Sequence, residues 1–388
     1  MLKLGSGVIT TALLAACGGR PETPAPAAAA PAPATKAPEP KAETEAPEPK
    51  PAATEAPVAK AAPVAKAAPE ATKAPPKGPV TLSIYSGRKE SFIKPAIEIA
   101  EKKLGSNVKV EVRYGKSSEM AALILEEGEN SPASIFISQD AGSLGAVAKE
   151  GFLAELPAGL LGLVDARFQS SKGEWVGLSG RARTIVYNSK ELTPADLPTS
   201  ILGFTDSKWK GRLGWAPTNG SFQAHVTAMR VQLGDGAAEN WLRGIIANEP
   251  ILYPKNTPQV AAAGAGEISC GFVNHYYLMR KLAEEPTFPA ANHFYTGRDV
   301  GALINVAGGS ILKSEENFAE SVSLLRELLG KEVQEYFANK TYEFPLSAGV
   351  KPFTGLPDLS TIDSPNIDLS NLDDLKGTLD LLRKVGAL

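Results

Sequence analysis

The sequence predicts an α/β fold of two lobes with mixed, mostly parallel sheets, the chain crossing between the lobes more than once. Three observations predict it. A strand, turn and helix rhythm starts at Val80, it restarts after a long β-branched run that ends near Leu192, and a later strand broken by Gly308-Gly309 returns the chain to its first unit. No self-similar period stands out, which sets a solenoid aside.

The N-terminal stretch MLKLGSGVITTALLAACGG joins one lysine to an apolar run and then to Leu14-Ala15-Ala16-Cys17. The run is too short to span a bilayer and ends at small residues, so residues 1–17 look like a bacterial lipoprotein signal with its lipobox. Cys17 is the expected lipidation site, since a cysteine between such a run and a Pro/Ala desert has no core to enter. Residues 18–79 are almost entirely Pro, Ala, Lys, Glu and Thr, as in APEPKAETEAPEPKPAATEAPVAKAAPVAKAAPE. They cannot bury enough apolar area to offset chain ordering, and frequent proline makes them a semi-stiff spacer.

From Val80 the pattern becomes that of a folded chain. VTLSIYSGR alternates like a strand and meets a Ser-Gly turn, and ESFIKPAIEIAEKKLG reads as an amphipathic helix stopped by glycine. NVKVEVRYG, SSEMAALILEEGE, ASIFISQD and AGSLGAVAKEG continue as strand, helix, strand, helix. Ligands of such sheets sit outside the carboxyl ends of the strands near helix N-termini. Ser86, Gly87, Arg88, Ser117, Ser118, Gln139 and Asp140 all fall at such ends.

EWVGLSGRARTIVYNSKEL reads as one long strand region, after which WKGRLGWAPTNGSFQAHVTAMRVQLG gives strand, turn and helix with Thr218 to Ser221 able to cap it. The next alternation ends in EISCGFVNHYYLMRKL, and GALINVAGGSIL supplies the returning strand. The expected lobes are residues 80–180 with 307–356, and residues 181–306 with 357–388. Cys270 alternates like a buried strand residue, and as the one cysteine besides Cys17 it has no disulfide partner in the mature chain.

The net charge of -3 argues against a nucleic-acid binder. No G-x-S-x-G, H-E-x-x-H, Walker A or C-x-x-C spacing occurs. An enzyme is therefore not expected, and a hydrolase on this scaffold would lack a paired nucleophile and base. Three histidines, His225 in a helix, His275 at a strand end and His293 in a loop, make a poor zinc set. Tyr276 and Tyr277 are adjacent at a strand-to-helix boundary. Phenolate oxygen is a hard donor suited to a hard cation such as Fe(III), while the alternative places one ring in the core and the other on the surface.

Several stretches, in order, resemble the ferric-ion-binding proteins of bacterial ABC iron importers: IYSGRKE, ISQDAGSLGAVAKEGFL, WVGLSGRARTIVYN, WKGRLGWAPTNGSF, YPKNTPQVAAAGAGEISCGFVNHYY, GALINVAGGSIL and EFPLSAGV. The resemblance covers nearly all of the folded region. It implies a periplasmic-binding-protein clamshell with hinge crossovers, an extracytoplasmic monomer tethered by the lipid on Cys17, and delivery to an ABC permease. It places metal ligation on Tyr276 and Tyr277, and a synergistic anion, carbonate being the expected one, on Asn219, Gly220, Ser221, Asn256 and Asn274. Arg88 and Arg181 offer forks suited to the anion, Arg183 less so, and Ser86, Gly87, Gln139 and Asp140 are further cleft candidates.

This chain departs from relatives that carry a histidine at the first strand-to-helix turn, where it has Arg88-Lys89. It has Gln139 where some have glutamate, and Phe222 where others have a third tyrosine. His275 is left out of the ligand set because its side chain faces away from its neighbours' direction. The other reading is a receptor for a small anion, such as a phosphonate, sulfate or an organic acid, held by Arg88, Arg181 and the PTNGS turn without iron.

Overall fold

The structure, a computed structural model, describes residues 78–388. Cys17, the signal-like run and nearly all of the proline-rich spacer lie outside the described residues.

The first unit runs β1 (Val80–Ser86), α1 (Glu90–Leu104), β2 (Val108–Tyr114), α2 (Ser117–Glu127), β3 (Ile135–Ser138), α3 (Ala141–Lys149) and the short α4 (Ala158–Leu161). The thirteen-residue β4 (Val176–Asn188) leads into β5 (Leu213–Trp215), α5 (Gly220–Leu233), α6 (Asp235–Ala247), β6 (Ile251–Leu252), α7 (Asn256–Ala265), β7 (Cys270–Asn274), α8 (Tyr276–Glu284) and β8 (Ala290–His293). The chain returns through β9 (Ile304–Ile311), α9 (Phe318–Leu328), α10 (Lys331–Tyr336), a π-helical turn (Phe337–Thr341), β10 (Phe344–Pro345) and, at the end, α11 (Leu375–Lys384).

The strands form one path in the order β2-β1-β3-β9-β4-β7-β5-β6, with β8 and β10 also paired to β4. Every residue of β4 is buried. Its first half pairs with β9, down to Ala182 opposite Ile304, and its second half pairs with β7, starting at Arg183 opposite Asn274. One strand thus belongs to both halves of the sheet, and its partners change between Ala182 and Arg183.

The mostly parallel sheet expected from the rhythm is corrected here. Parallel pairing is confined to the two ends, β1 with β2 and β3, and β5 with β6 and β7. The centre is antiparallel, because β4 and β9 run against their neighbours as they cross. Apolar periodicity carries no strand direction, so the sequence is blind to this. His293, expected in a loop, is the last residue of β8, opposite Ile185.

The C-terminal tail, expected wholly in the second lobe, divides its contacts. The turn Leu369–Asp373 packs on α3 so closely that a Cβ at Gly142 or Gly145 would meet the carbonyls of Leu372 and Ser370. Its Ser370 hydroxyl accepts the Trp175 indole N–H at 3.1 Å. One residue later, α11 lies against α5, with Thr378 and Thr227 sharing a 2.8 Å hydrogen bond.

The second unit is built around an aromatic core. Phe272 of β7 is edge-on to Phe204 at 5.5 Å and to Trp241 at 5.5 Å, and Phe222 is edge-on to Trp215 at 5.7 Å. Cys270 is buried in the same strand and burial pushes its thiol pKa up, so it behaves as a small core residue.

His225 faces this core, its ring 6.2 Å from Trp241. Burial holds its pKa down to about 3 from 6.5, the Arg183 charge pushes the same way, and the nearby Val300 carbonyl opposes them weakly without completing a hydrogen bond. The unfolded chain therefore takes up a proton below pH 6.5 that the folded chain refuses. Above that pH its titration adds no pH dependence; between there and about pH 3 it removes about 1.4 kcal/mol of stability per pH unit. Urea midpoints measured across that window should fall less steeply for His225→Phe than for the wild type, and equal slopes would show that the ring is not sheltered.

Candidate functional site

The site is assembled where β4 changes partners. Side chains alternate along a strand, so Arg181 and Arg183 leave β4 on one face, and both are almost fully buried. The Arg183 Nη1 donates to Asn274 Oδ1 at 3.0 Å and to Ser221 Oγ at 3.2 Å. Ser221 also accepts from Asn256 Nδ2 at 3.1 Å and donates to Asn219 Oδ1 at 2.6 Å. Asn219 is the N-cap of α5, Asn256 opens α7, and Asn274 ends β7 just before α8. Three helix N-termini therefore meet at Ser221 and Arg183, the kind of chain end at which anions bind; at α5 the Ser221 N–H is already taken by Asn219 Oδ1 at 3.0 Å.

This cluster is not self-sufficient. Nε and Nη2 of Arg183, Nε of Arg181 and Oδ1 of Asn256 are buried without a hydrogen-bond partner. Burial lowers the Arg183 pKa to about 9 from 12.5, with Tyr277 and Tyr276 opposing the shift, so it is still a cation at neutral pH. Unpaired buried donors cost free energy, which a bound anion would recover.

His275 adopts helical dihedrals directly after β7, so the chain turns without a linker and sets Tyr276 and Tyr277 in the first turn of α8. Their rings stack with centroids 4.3 Å apart and planes 28° apart. Tyr276 is buried and Tyr277 half-buried. Burial drives the Tyr276 phenol well above its ordinary value of 10.0, the neighbouring Tyr277 and Glu343 add to this, and Arg181 opposes it. A trivalent cation would invert that balance, and the positive end of α8 favours phenolate in the same sense.

Both nitrogens of the buried His275 ring are occupied. Nδ1 accepts the Ala182 N–H at 3.1 Å, and Nε2 lies 2.7 Å from the Tyr342 carbonyl, which makes Nε2 the protonated nitrogen. Burial lowers its pKa to about 4, against the opposing pull of those contacts. The imidazole braces the turn from behind. Phe222, at the position of the missing third tyrosine, is fully buried among aromatic rings.

The remaining candidates serve other contacts. Arg88 is paired: Nη2 donates to Glu343 Oε2 at 2.7 Å and Nη1 to Ser179 Oγ at 2.9 Å. The Ser86 hydroxyl accepts the Arg88 N–H, Ser117 Oγ accepts the Gln139 N–H, and Asp140 caps α3 by accepting from Ser143. A Cβ at Gly87 would lie 2.6 Å from the Ser117 Cα, so glycine is needed for the β1 turn to pass α2. Gly220 is exposed in the first turn of α5. Glu343 is the buried group that residue-by-residue reading missed; it opens the quoted stretch EFPLSAGV, and that placement was its only signal. Among the described residues no three His, Cys, Asp or Glu side chains gather at metal-binding spacing.

Comparison with known proteins bears on this geometry. A family model for bacterial extracellular solute-binding proteins matches residues 130–359. The chain is 30% identical over 311 residues to the major ferric iron-binding protein of Neisseria meningitidis, covering 79% of this chain and 92% of that protein. It is 29% identical over 308 residues to the Fe(3+)-binding periplasmic protein of Serratia marcescens, with 79% and 90% covered. Among solved structures, iron-bound HitA from Pseudomonas aeruginosa superposes with a TM-score of 0.72 at 31% identity, covering 79% of this chain and all of that one, 100%. The Trichodesmium protein IdiA (FutA) in complex with iron and citrate gives 0.71 at 26% identity, with 79% and 99% covered. The α/β fold is the periplasmic-binding-protein clamshell of these neighbours.

The bracing role of His275 has a measurable consequence. His275→Ala strands the Ala182 N–H and the Tyr342 carbonyl in the interior, and should lower unfolding stability by about 2–4 kcal/mol in urea melts. Tyr277→Phe, which removes one half-buried hydroxyl, should cost under about 1 kcal/mol.

Proposed function

The chain belongs to the bacterial extracellular solute-binding proteins, and we propose that within this family it is a receptor that captures Fe(III) outside the cytoplasm and passes it to an ABC permease. The observation that carries the reading is the stacked pair Tyr276 and Tyr277, held at a helix N-terminus beside two buried arginines whose donors are incompletely used. Ferric ion is the cargo, and the two phenolates are its ligands from this chain.

Two phenolates reduce the charge of a ferric ion to about one and leave coordination positions open. A small anion, carbonate fitting best, would fill them from the Ser221 side. Arg183 and Arg181 supply charge, Ser221, Asn256 and Asn274 supply hydrogen-bonding groups, and the α5 turn supplies the Gly220 N–H, the Asn219 N–H being bound to the Ala216 carbonyl at 3.0 Å. Arg88, bound to Glu343, is reassigned from anion donor to structural support. The two halves of the sheet, sharing β4, are the proposed lobes, and cargo favours their closed arrangement by its extra contacts there. Arg280 of α8 already lies over the Phe92 ring of α1 at 5.3 Å, which supports closure across this cleft.

A small-anion receptor acting without iron is the second reading, favoured by the unpaired donors of Arg183. The two separate by spectrum. Protein mixed with ferric citrate and bicarbonate should develop a phenolate-to-iron band in the visible, and Tyr276→Phe with Tyr277→Phe should abolish it. A wild-type protein that stays colourless, or a double variant that keeps the band, would sink the iron reading. A double variant that still binds anions in calorimetry would point to the second.

The lipid tether is likewise proposed, on Cys17 and the run before it. Cys17→Ser should move the full chain from the membrane fraction to the soluble fraction and end incorporation of a labelled fatty acid; unchanged labelling would refute it.

A further inference from the structure

Glu343 enters the site from a contorted piece of chain. The π-helical turn Phe337–Thr341 is followed by Tyr342 at φ 58°, a left-handed conformation that a tyrosine rarely adopts. Such strain persists where surrounding contacts over-determine it. Here Tyr342 gives its carbonyl to His275, while Thr341 Oγ1 donates to Glu343 Oε2 at 3.0 Å. The carboxylate is then aimed at the two arginines unequally. Oε2 takes Arg88 at 2.7 Å and Ser179 Oγ at 3.2 Å, whereas Oε1 stays 3.9 Å from Arg181 Nε.

Arg88 is therefore consumed and Arg181 is not. Arg181 keeps an unpartnered Nε, and its one hydrogen bond is a long contact of 3.4 Å from Nη2 to the Val306 carbonyl. Without iron, three buried guanidiniums and one buried carboxylate leave a surplus of two positive charges, the charge of a dianion with opposite sign.

We propose that Glu343 is a positioning residue that sets anion selectivity: it withdraws Arg88 from the site and leaves Arg181 and Arg183 to receive a doubly charged anion. The proposal rests on the anion-assisted reading above and assigns a different residue within it. Removal of the carboxylate charge frees Arg88 and raises the surplus to three, which favours an anion of higher charge. Joint removal of Arg88 and Glu343 leaves the surplus at two and the site intact. Methionine suits both places, since Arg88 already lies over the Phe337 ring, 5.6 Å from its centroid.

The test is calorimetric titration of the whole chain with sulfate and with citrate, first without iron and then with ferric ion present. Glu343→Gln should shift the citrate-to-sulfate affinity ratio by about tenfold toward citrate. Arg88→Met with Glu343→Met should keep the wild-type ratio within about twofold, while Arg181→Met should weaken both anions by at least about tenfold. The double variant carries the test alone if Glu343→Gln fails to fold, because it strands no charge. The proposal is overturned if the double variant loses anion binding as Arg181→Met does, since Arg88 would then be a donor. An unchanged ratio in folded Glu343→Gln overturns it as well, as does a wild type that binds neither anion with or without iron. Absence of the phenolate-to-iron band with anion binding retained would remove the iron reading and leave this one standing.

Discussion

Everything at the centre of this molecule depends on β4 carrying two guanidiniums through the middle of a sheet in which all of its residues are buried. Desolvating such a cation costs several kcal/mol unless it is paired and hydrogen-bonded. The fold meets this demand unevenly. Arg181 leans on Glu343 and on a carbonyl, Arg183 on Asn274 and Ser221, and neither guanidinium is fully satisfied. A protein optimised for stability alone would have placed apolar side chains there. On the proposed function the unmet donors are capacity held for a charged guest, and the tyrosines, stacked at the next strand end, lie beside them in α8.

The neighbouring elements follow from that requirement. The Arg183 partners sit where strand gives way to helix, Ser221 in the first turn of α5 and Asn274 at the end of β7 just before α8. His275 joins β4, through Ala182, to the strained segment at Tyr342, so the turn that presents the tyrosines is fixed to the crossing strand and to the Glu343 loop at once. Packing does the rest: the aromatic cluster of Phe222, Phe272 and Trp241 fills the layer beneath α5 and leaves its N-terminal turn as the polar end.

Much of this was legible before any coordinates. Alternation and helix periodicity located β1 and β2 with their helices, and β3, buried throughout, showed as a short apolar run between polar turns. The tyrosine pair and the PTNGS turn were legible for the same reason, as they fall where a strand pattern yields to a helical one. Strand direction at the centre was not, because apolar periodicity is the same for a strand run in either direction. The division of labour among the arginines was also hidden. Arg88 and Glu343 lie 255 positions apart, and a guanidinium that binds a ligand looks the same in sequence as one that binds a carboxylate. Asp140 shows a different ambiguity: the end of a strand is where ligands bind, but it is also where helices need caps, and Asp140 caps α3.

The divided tail has a mechanical meaning. Leu369–Asp373 is fixed to α3 and Trp175, α11 is fixed to α5, and Asp374 alone separates the two anchorages while its own carboxylate is held by Arg230. Consecutive Cα atoms are 3.8 Å apart, so a single residue offers almost no slack. Any relative movement of α3 and α5 that keeps these contacts would therefore have to be a pivot about the tail and not a separation. The last twenty residues are built as a check-strap, one that would convert freedom of separation into freedom of rotation.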